Sequence, residues 1–406
     1  MNKRKSFLRS MGPGFIIASV VLGPGSITVA SRIGSEYGYS FLWVVALAAV
    51  SMVIYTSMGA RYGVLHEKSF LQGIADTYGR WVAVVIGISA FLAASSFQFG
   101  NNLGIGIGME GLTGINEKVW PLIFTPLALV LNFWAKNLYK VLEKIMMTLV
   151  IIMILSFVFN LVLARPDLQG IAKGFVPRLF SFRQLDVVAA LVATTFVLHG
   201  AFYQSYLVQD KGWKPDDLQG SLKDSYMGIF MLALISLLII ITSAAALHPR
   251  GIEVHSAADM ALQLETLFGG MAKYVFSLGL CAAAFSSLMV NSVMGGGLLA
   301  DGLGLGRSMN QKWPKIFTSV ILLAGMLVAI FFRGDIIYAL IMAQASSIFA
   351  VPLIAIGMFI MLNNKKVMGD HRNNLVQNIL AVLGFILISI MVYYMYTKLI
   401  GFIHSL

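Results

Sequence analysis

The sequence has 406 residues, of which 58% are hydrophobic and only 12% are charged. Because an ordinary soluble domain is about 25% charged, these figures exclude a soluble globular domain and a disordered chain. The single cysteine, Cys281, excludes an internal disulfide and a cysteine-based zinc cluster. The apolar residues are too many for one core, so part of them must face lipid, and the composition predicts a multi-pass membrane protein.

The net charge of +11 does not indicate a nucleic-acid-binding protein. Lys and Arg are scattered singly between long apolar runs, without a basic face or an interleaved aromatic platform. In membrane proteins a surplus of Lys and Arg is typical of cytoplasmic loops. We therefore expect the lipid bilayer as the main partner, with no nucleic acid and no obligate protein partner.

The apolar residues fall into eleven segments, each close to the roughly 20 residues that a helix needs to cross the hydrocarbon core. None shows the ten-residue alternation of a β-barrel strand. The predicted fold is an all-α integral membrane protein of about 11 transmembrane helices in one domain, 1–406. The predicted spans are 12–33, 39–60, 81–109, 119–135, 141–164, 185–208, 226–247, 271–300, 314–332, 337–362 and 375–398.

The loops that alternate along this series differ in their content of Lys and Arg. Most of these residues fall on the same side as the basic start of the chain. Because cytoplasmic loops carry the excess of Lys and Arg, we expect a cell-membrane protein with its N-terminus in the cytoplasm. Eleven spans then place the C-terminus outside the cytoplasm.

The first span is interrupted at its middle by Gly23-Pro24-Gly25-Ser26. Proline removes a backbone donor and glycine removes the steric preference for helix. Lipid offers no substitute partner for the freed backbone groups, so an unwound segment here must line a cavity or lie within the protein. We expect a helix break at Pro24 and Gly25.

The sixth span carries polar residues near its middle, in the stretch Thr194-Thr195-Phe196-Val197-Leu198-His199-Gly200. An ionisable histidine at membrane depth is a functional candidate, although a neutral, hydrogen-bonded histidine inside the bundle is the alternative. No proline is present, and Gly200 is the predicted position of a break.

The two interruptions lie in the first and sixth spans, the first members of two five-helix halves. Breaks in equivalent positions are typical of inverted-repeat transporters, which bind their substrates at the membrane midplane. We expect a first repeat at about 12–164, a second repeat at about 185–362, and an additional helix at 375–398.

The first span begins with Gly12-Pro13-Gly14-Phe15 and continues to Gly23-Pro24-Gly25-Ser26. These two motifs resemble the first helix of the NRAMP family of divalent-metal transporters, where a GPGF-type start precedes Asp-Pro-Gly-Asn. The resemblance runs from about residue 10 to residue 374 and implies a LeuT-like inverted-repeat fold. Further similar stretches are Tyr37-Gly38-Tyr39, Ala60-Arg61-Tyr62-Gly63-Val64, Leu142-Glu143-Lys144, Val176-Pro177-Arg178 and Lys365-Lys366-Val367-Met368-Gly369.

The resemblance also implies metal-ligand positions, and there this sequence departs from the family. The Asp and Asn of Asp-Pro-Gly-Asn fall on Gly23 and Ser26, and the Met of the sixth-helix Met-Pro-His falls on Val197. In the sixth helix, the family's Pro falls on Leu198, its His on His199 and its carbonyl position on Thr194, and a second family His falls on Gln204. The family's tenth-helix Gln falls on Ala350. Its acidic residues of the third helix fall on Gln98 and Asn101. Gln344 lies one and a half turns before Ala350.

These departures argue against transport of a dehydrated transition metal. The family's carboxylate and thioether are both missing, and an unpaired charge at the midplane faces a desolvation free energy on the order of 20 kcal/mol. A hydrated cation is the first remaining hypothesis, because Mg²⁺ keeps several waters when bound. A small organic solute is the second, because the N-terminus of a helix at a break can hold a carboxylate.

Proton coupling is expected to be weak or absent, because membrane proton relays use chains of Asp, Glu and His. His199 is the titratable side chain placed at the midplane of the first, third and sixth spans, and Glu110 lies at the end of the third.

We predict a transporter, not an enzyme, with no cofactor and an undetermined set of metal ligands. The candidate residues are Gly23, Ser26, Thr194, Thr195, Val197 and Gln344 for substrate, His199, Gln204, Gln98 and Asn101 for protons or gating, and Pro24, Gly25 and Gly200 for the helix breaks.

Overall fold

The computed structural model describes residues 12–14, 16–17, 22–133, 136–178, 184–308 and 310–404. These residues form helices and connecting segments, and no strand is found among them. Nine helical segments in this part of the chain are long and apolar enough to cross a membrane, and a tenth apolar helix, Val119–Phe133, is shorter. The all-α membrane fold is confirmed. The predicted span 12–33 includes residues 15 and 18–21, and the GPGF-type motif includes Phe15, all of which lie outside the described residues.

Thirteen long helices are numbered here in chain order, and two predicted spans are each divided into two of them. The sixth span consists of α6 and α7, and the tenth consists of α11 and α12. The helices are α1 Pro24–Tyr37, α2 Leu42–Leu65, α3 Arg80–Thr113, α4 Val119–Phe133, α5 Lys136–Ala164, α6 Leu185–Thr195, α7 Leu198–Asp210, α8 Leu218–Ala246, α9 Ala272–Gly302, α10 Lys312–Phe331, α11 Ile336–Ser346, α12 Val351–Asn363 and α13 Leu375–His404.

The helices pack into two groups. In one group α8 packs against α1 and α2, and α7 packs against α2. In the other group α9 packs against α3 and α10, and α4 packs against α10 and α3. Helix α11 contacts α1 and α6 of the first group and α3 of the second. Residues at the breaks of the first, sixth and tenth spans therefore lie where the two groups meet.

Small residues bring α3 and α9 into close contact. A Cβ on Gly295 would lie 2.4 Å from Ala94 Cβ, and a Cβ on Gly302 would lie 2.7 Å from the Ala83 carbonyl oxygen. In lipid, where the hydrophobic effect between helices is weak, close backbone approach of this kind is the main source of helix association. The glycine-rich stretches of the third and eighth spans are therefore packing surfaces.

The start of the first span is held against α8. The Gly14 backbone N–H donates to the Asp224 carboxylate at 2.7 Å, and a Cβ on Gly228 would lie 2.2 Å from the Gly14 carbonyl oxygen. A carboxylate near unpaired N–H groups at the start of a helix is stabilising. The motif Gly12-Pro13-Gly14 thus allows two backbones to touch.

Candidate functional site

The break in the first span lies directly before Pro24. Gly23 has an extended backbone (φ −92°, ψ −179°), and Pro24 and Gly25 are the first two residues of α1. The Ser26 hydroxyl donates to the Gly23 carbonyl oxygen at 2.8 Å. The Pro24 ring packs into the space left by Gly104, where a Cβ would lie 2.1 Å from Pro24 Cβ. Pro24 therefore begins α1, and its ring, fitted against Gly104, packs α1 closely against α3.

The break in the sixth span lies at Phe196 and Val197, between α6 and α7. Their ψ angles of 69° and 83° are not helical. The predicted break at Gly200 is wrong, because Gly200 lies inside α7 and the break lies three to four residues closer to the N-terminus. A single glycine costs a helix only about 1 kcal/mol relative to alanine, so Gly200 remains helical. At the break itself Phe196 is 1% exposed, and its ring lies 5.4 Å from the Tyr55 ring.

A third irregular segment, not predicted from the sequence, interrupts the tenth span. Residues Ser347–Ala350 form a single 3₁₀ turn between α11 and α12. Gln344 lies just before it and its side chain inserts between α1 and α3. A Cβ on Gly25 would lie 2.3 Å from the Gln344 side chain, and one on Gly100 would lie 2.5 Å from it. Gln344 therefore lies beside the break of the first span, whereas Ala350, the position that the resemblance assigned to a glutamine, lies at the end of the turn.

Gly23 faces two neutral polar side chains. A Cβ on Gly23 would lie 3.1 Å from Ser287 Oγ and 3.2 Å from Asn101 Oδ1. A side chain at this position would therefore point at oxygens from α3 and α9. Ser287 is a member of this site that the sequence did not identify, although the pair Ser286-Ser287 in the eighth span was a visible signal.

His199 is held by α9 and α3. Its Nε2 lies 3.2 Å from Asn291 Oδ1, and Asn291 Nδ2 donates to the Ala94 carbonyl oxygen at 2.7 Å. Since Oδ1 is an acceptor in this arrangement, Nε2 carries the proton. His199 Nδ1 is buried without a hydrogen-bond partner among the described residues. The Phe97 ring packs edge-on against the imidazole at 5.2 Å between centroids.

The pairing of His199 with Asn291 is expected to contribute to stability. In Asn291→Leu the buried Nε2–H loses its acceptor, which should lower the free energy of unfolding by about 1–3 kcal/mol. The double variant His199→Leu with Asn291→Leu removes both polar partners and should recover part of this loss. Thermal unfolding in detergent measures Asn291→Leu, His199→Leu and the double variant against the wild type. A double variant that loses the sum of both single effects would contradict the pairing.

The amides at the aligned proton-path positions bind to one another and to the backbone. Gln98 Nε2 donates to the Leu288 carbonyl oxygen at 3.2 Å, and Asn101 Nδ2 donates to Gln98 Oε1 at 3.4 Å. Gln204, further along α7, donates to the Ser225 hydroxyl at 3.0 Å. These three side chains are neutral, so none of them can carry a proton as a carboxylate does.

The candidate side chains are buried inside the helical bundle. Ser26 is 6% exposed, and Thr194, Thr195, Val197, His199 and Gln344 are each 3% exposed or less. Thr194 donates to the Leu191 carbonyl oxygen at 3.1 Å within α6. Among the described residues, no group of three or more His, Cys, Asp or Glu side chains could hold a metal ion.

Comparison with known proteins identifies the relatives of this chain. The Nramp family model, described as natural resistance-associated macrophage protein-like, matches residues 14–398. The divalent metal cation transporter MntH of Yersinia pestis (strain Pestoides F) is 25% identical over 377 residues, 90% of this chain and 89% of that protein. MntH of Yersinia enterocolitica serotype O:8 / biotype 1B is 26% identical over 396 residues, 96% and 94% of the two chains.

Solved structures show the same fold. A manganese transporter of Eremococcus coleocola, in complex with an aromatic bis-isothiourea substituted compound, has a TM-score of 0.76 at 16% identity, covering 96% of this chain and 87% of that one. Mhp1, a nucleobase-cation-symport-1 family transporter, has a TM-score of 0.60 at 15% identity, covering 95% and 92%. Both the LeuT-like fold and the expectation of a transporter rather than an enzyme agree with these relatives. The chain therefore belongs to the NRAMP family of membrane transporters.

Proposed function

We propose that this protein moves a divalent cation, hydrated Mg²⁺ in the first place, across the cell membrane with weak or absent proton coupling. The observation that carries the proposal is the polar but uncharged midplane around Gly23, where Asn101 and Ser287 face the break of the first span. The relatives named as divalent metal cation transporters support a divalent cation as the cargo.

A hydrated ion suits the neutral oxygens of this site. Mg²⁺ dehydrates reluctantly and usually keeps several of its waters, which donate hydrogen bonds to oxygens of the protein. Asn101 Oδ1 and Gln344 Oε1 are amide oxygens beside the break, and the latter is buried with no hydrogen-bond partner in the described part of the chain. Val197 provides no thioether ligand, so this position does not bind a soft transition metal more tightly than a hard cation.

The absence of a carboxylate at the aligned positions is the basis for weak coupling. Gln98 and Asn101 replace the family's acidic residues of the third helix, and His199 is paired with Asn291. A carboxylate or histidine chain is the usual route for protons within a membrane. We also propose that the N-terminus faces the cytoplasm and that the C-terminus lies on the other side.

The proposal is tested by transport into proteoliposomes that contain the purified protein. We expect uptake of Mg²⁺, with little uptake of Mn²⁺ and none of small carboxylic acids or amino acids. Liposomes without protein are the control for leakage. Uptake of Mn²⁺ well above that of Mg²⁺ would contradict the interpretation of the missing ligands.

One observation favours a small organic acid as the second candidate. The N-terminus of α1 faces the break with no acidic residue in its first turn. The hydroxyls of Thr28 and Thr195 are buried without a partner among the described residues. Helix N-termini bind carboxylates through their backbone N–H groups. The metal-transporting relatives favour the cation, and uptake of a carboxylic acid without any divalent cation would reverse this order.

A further inference from the structure

An apolar groove of about 320 Å³ lies between α12, the start of α3 and the short helix Phe70–Tyr78. Gly357 is the buried residue of its α12 wall, and a Cβ there would lie 2.4 Å from Ile86 Cδ1, so α12 and α3 touch beneath the groove. Leu353 and Ile360 line the groove seven residues apart, which makes it about 10 Å long on α12. None of the residues assigned to the midplane site lines it.

The groove is open to the hydrocarbon of the membrane along its length and polar at one end. Leu353, Ile356 and Ile360 are 44%, 41% and 45% exposed. Among the lining residues, Tyr78 and Trp81 are those with a polar side-chain atom, and both lie where α3 begins. Because Tyr and Trp are enriched where the membrane meets water, this end lies at the surface and the rest runs toward the midplane.

The length of the groove indicates what occupies it. One leaflet contributes half of the roughly 30 Å hydrocarbon core, so a groove of about 10 Å covers most of one leaflet and none of the other. A partner helix that crosses the membrane would need a contact face over both leaflets. An acyl chain of a lipid needs only one, and a groove surrounds it with more apolar atoms than a flat helix face does.

Two lysines lie at the surface end of the groove. Lys365 and Lys366 follow α12, both are exposed, and neither forms an ion pair within the described part of the chain. Asn364 fixes them there, because its Nδ2 donates to the Tyr78 hydroxyl at 2.9 Å and its Oδ1 accepts from the Lys366 backbone N–H at 2.9 Å. Two positive charges therefore lie just beyond the apolar walls, where a lipid headgroup would be.

We propose that this groove binds one acyl chain of an anionic phospholipid, whose phosphate is bound by Lys365 and Lys366. Lysines close to the membrane surface attract anionic headgroups, and basic residues beside a space between helices are typical of such lipid sites. The lysines lie on the side that we propose to face the cytoplasm, where anionic lipids are common. This lipid site is separate from the proposed transport function, so it holds whether or not the protein carries a cation.

The site is tested with the full-length protein in detergent and phosphatidylglycerol whose acyl chains carry bromine, which quenches the fluorescence of a tryptophan in contact with it. We expect saturable quenching, with phosphatidylcholine of the same chains binding roughly tenfold more weakly. Trp81 is 70% exposed and lines the groove, so Trp81→Phe should remove most of the saturable quenching. Trp313→Phe is the control, because Trp313 is 40% exposed and lies elsewhere. Equal loss in both variants would contradict binding at the groove.

The lysines are tested by their charge. Lys365→Gln with Lys366→Gln should weaken phosphatidylglycerol binding roughly tenfold and leave phosphatidylcholine binding unchanged. Lys214→Gln with Lys223→Gln removes the same charge on the same proposed side of the membrane, and neither residue lines the groove. This control should leave binding of both lipids unchanged. Equal weakening by the two double variants would show unspecific attraction and overturn the site.

The groove itself is tested by filling it. Val85→Phe with Ile356→Phe should weaken the binding of both lipids, and because both positions are exposed we expect a folded protein, which size-exclusion chromatography checks. Glycerol phosphate, the soluble part of the headgroup, should not relieve the quenching, and relief would show a site for phosphate alone. A wild-type dimer that the filled variant converts to monomers would assign the groove to a second copy of the chain. Either result, or unchanged lipid binding in the filled variant, would overturn the proposal.

Discussion

Gly23→Asp is expected to make the midplane bind Mn²⁺ roughly tenfold or more tightly than the wild-type protein does, because it adds an anionic oxygen ligand beside the break. The Cβ of the new side chain would point at Ser287 Oγ and Asn101 Oδ1, at 3.1 and 3.2 Å. These distances are tight, but both neighbours are the ends of side chains and need to move only slightly. The carboxylate can then accept a hydrogen bond from the Ser287 hydroxyl.

The matched control is Gly23→Asn, which has nearly the same shape and no charge. Isothermal titration calorimetry with Mn²⁺ measures both variants and the triple variant Gly23→Asp, Ser26→Asn and Val197→Met, which should bind most tightly because it also supplies an amide oxygen and a thioether. If Gly23→Asn binds Mn²⁺ as well as Gly23→Asp, the gain is not electrostatic. If neither the single nor the triple variant binds, the site differs from its relatives by more than these three residues.

Gly228→Ala is expected to open the end of the molecule where the first span meets α8. A Cβ on Gly228 would lie 2.2 Å from the Gly14 carbonyl oxygen and 2.3 Å from its carbon, so the two backbones must separate. Overpacking of this kind costs about 1–3 kcal/mol. Ser225 is buried at this contact, since a Cβ on Gly14 would lie 2.8 Å from Ser225 Cα, and it becomes accessible when the contact opens.

Labelling of a thiol at position 225 measures this opening. The single native cysteine, Cys281, is buried, so the variant Ser225→Cys can be followed with a membrane-impermeant maleimide. Adding Gly228→Ala should make the labelling about tenfold faster, which corresponds to about 1.4 kcal/mol. Gly220→Ala lies on the same helix and its Cβ would meet nothing within 4 Å, so it should leave the rate unchanged. Equal acceleration by Gly220→Ala, or none by Gly228→Ala, would contradict the predicted opening.

Local chemistry made the helices and one of the breaks predictable. Eleven spans were predicted, and the described residues contain nine helical segments long enough to cross a membrane and one shorter apolar helix. Most helix ends lie within a few residues of the predicted ones, but α8 begins at Leu218, eight residues before the predicted span 226–247. Helices are predictable here because a chain in lipid must satisfy its backbone hydrogen bonds internally. The break before Pro24 followed from a missing backbone donor, which is a property of the residue itself. The break at Phe196 and Val197 contains neither proline nor glycine, and it lies where Phe196 packs against Tyr55. Tertiary packing of this kind is not visible in a local sequence pattern.

The composition of the midplane site was only partly predictable. The resemblance assigned Gly23, Ser26 and His199 to the proposed site, because those positions follow a motif, and the assignment stays a prediction. Contacts between distant segments could not be predicted from the sequence. Ser287 faces Gly23, and Gln344 lies between Gly25 and Gly100. Such pairs depend on how helices far apart in the chain cross, so they require the structure.

The central claim of the proposed function is that a cation crosses a neutral midplane site without a proton. Positions 23, 98 and 101 carry Gly, Gln and Asn instead of carboxylates, so under the proposed function none of these three positions can exchange a proton with the cation. The most direct test records Mg²⁺ uptake and luminal pH together in proteoliposomes, with the protein in an imposed inward Mg²⁺ gradient. We predict Mg²⁺ uptake without acidification of the lumen and with little change when a pH gradient is added. Uptake of Mn²⁺ in preference to Mg²⁺, with the lumen acidified in proportion, would contradict a neutral, uncoupled cation site.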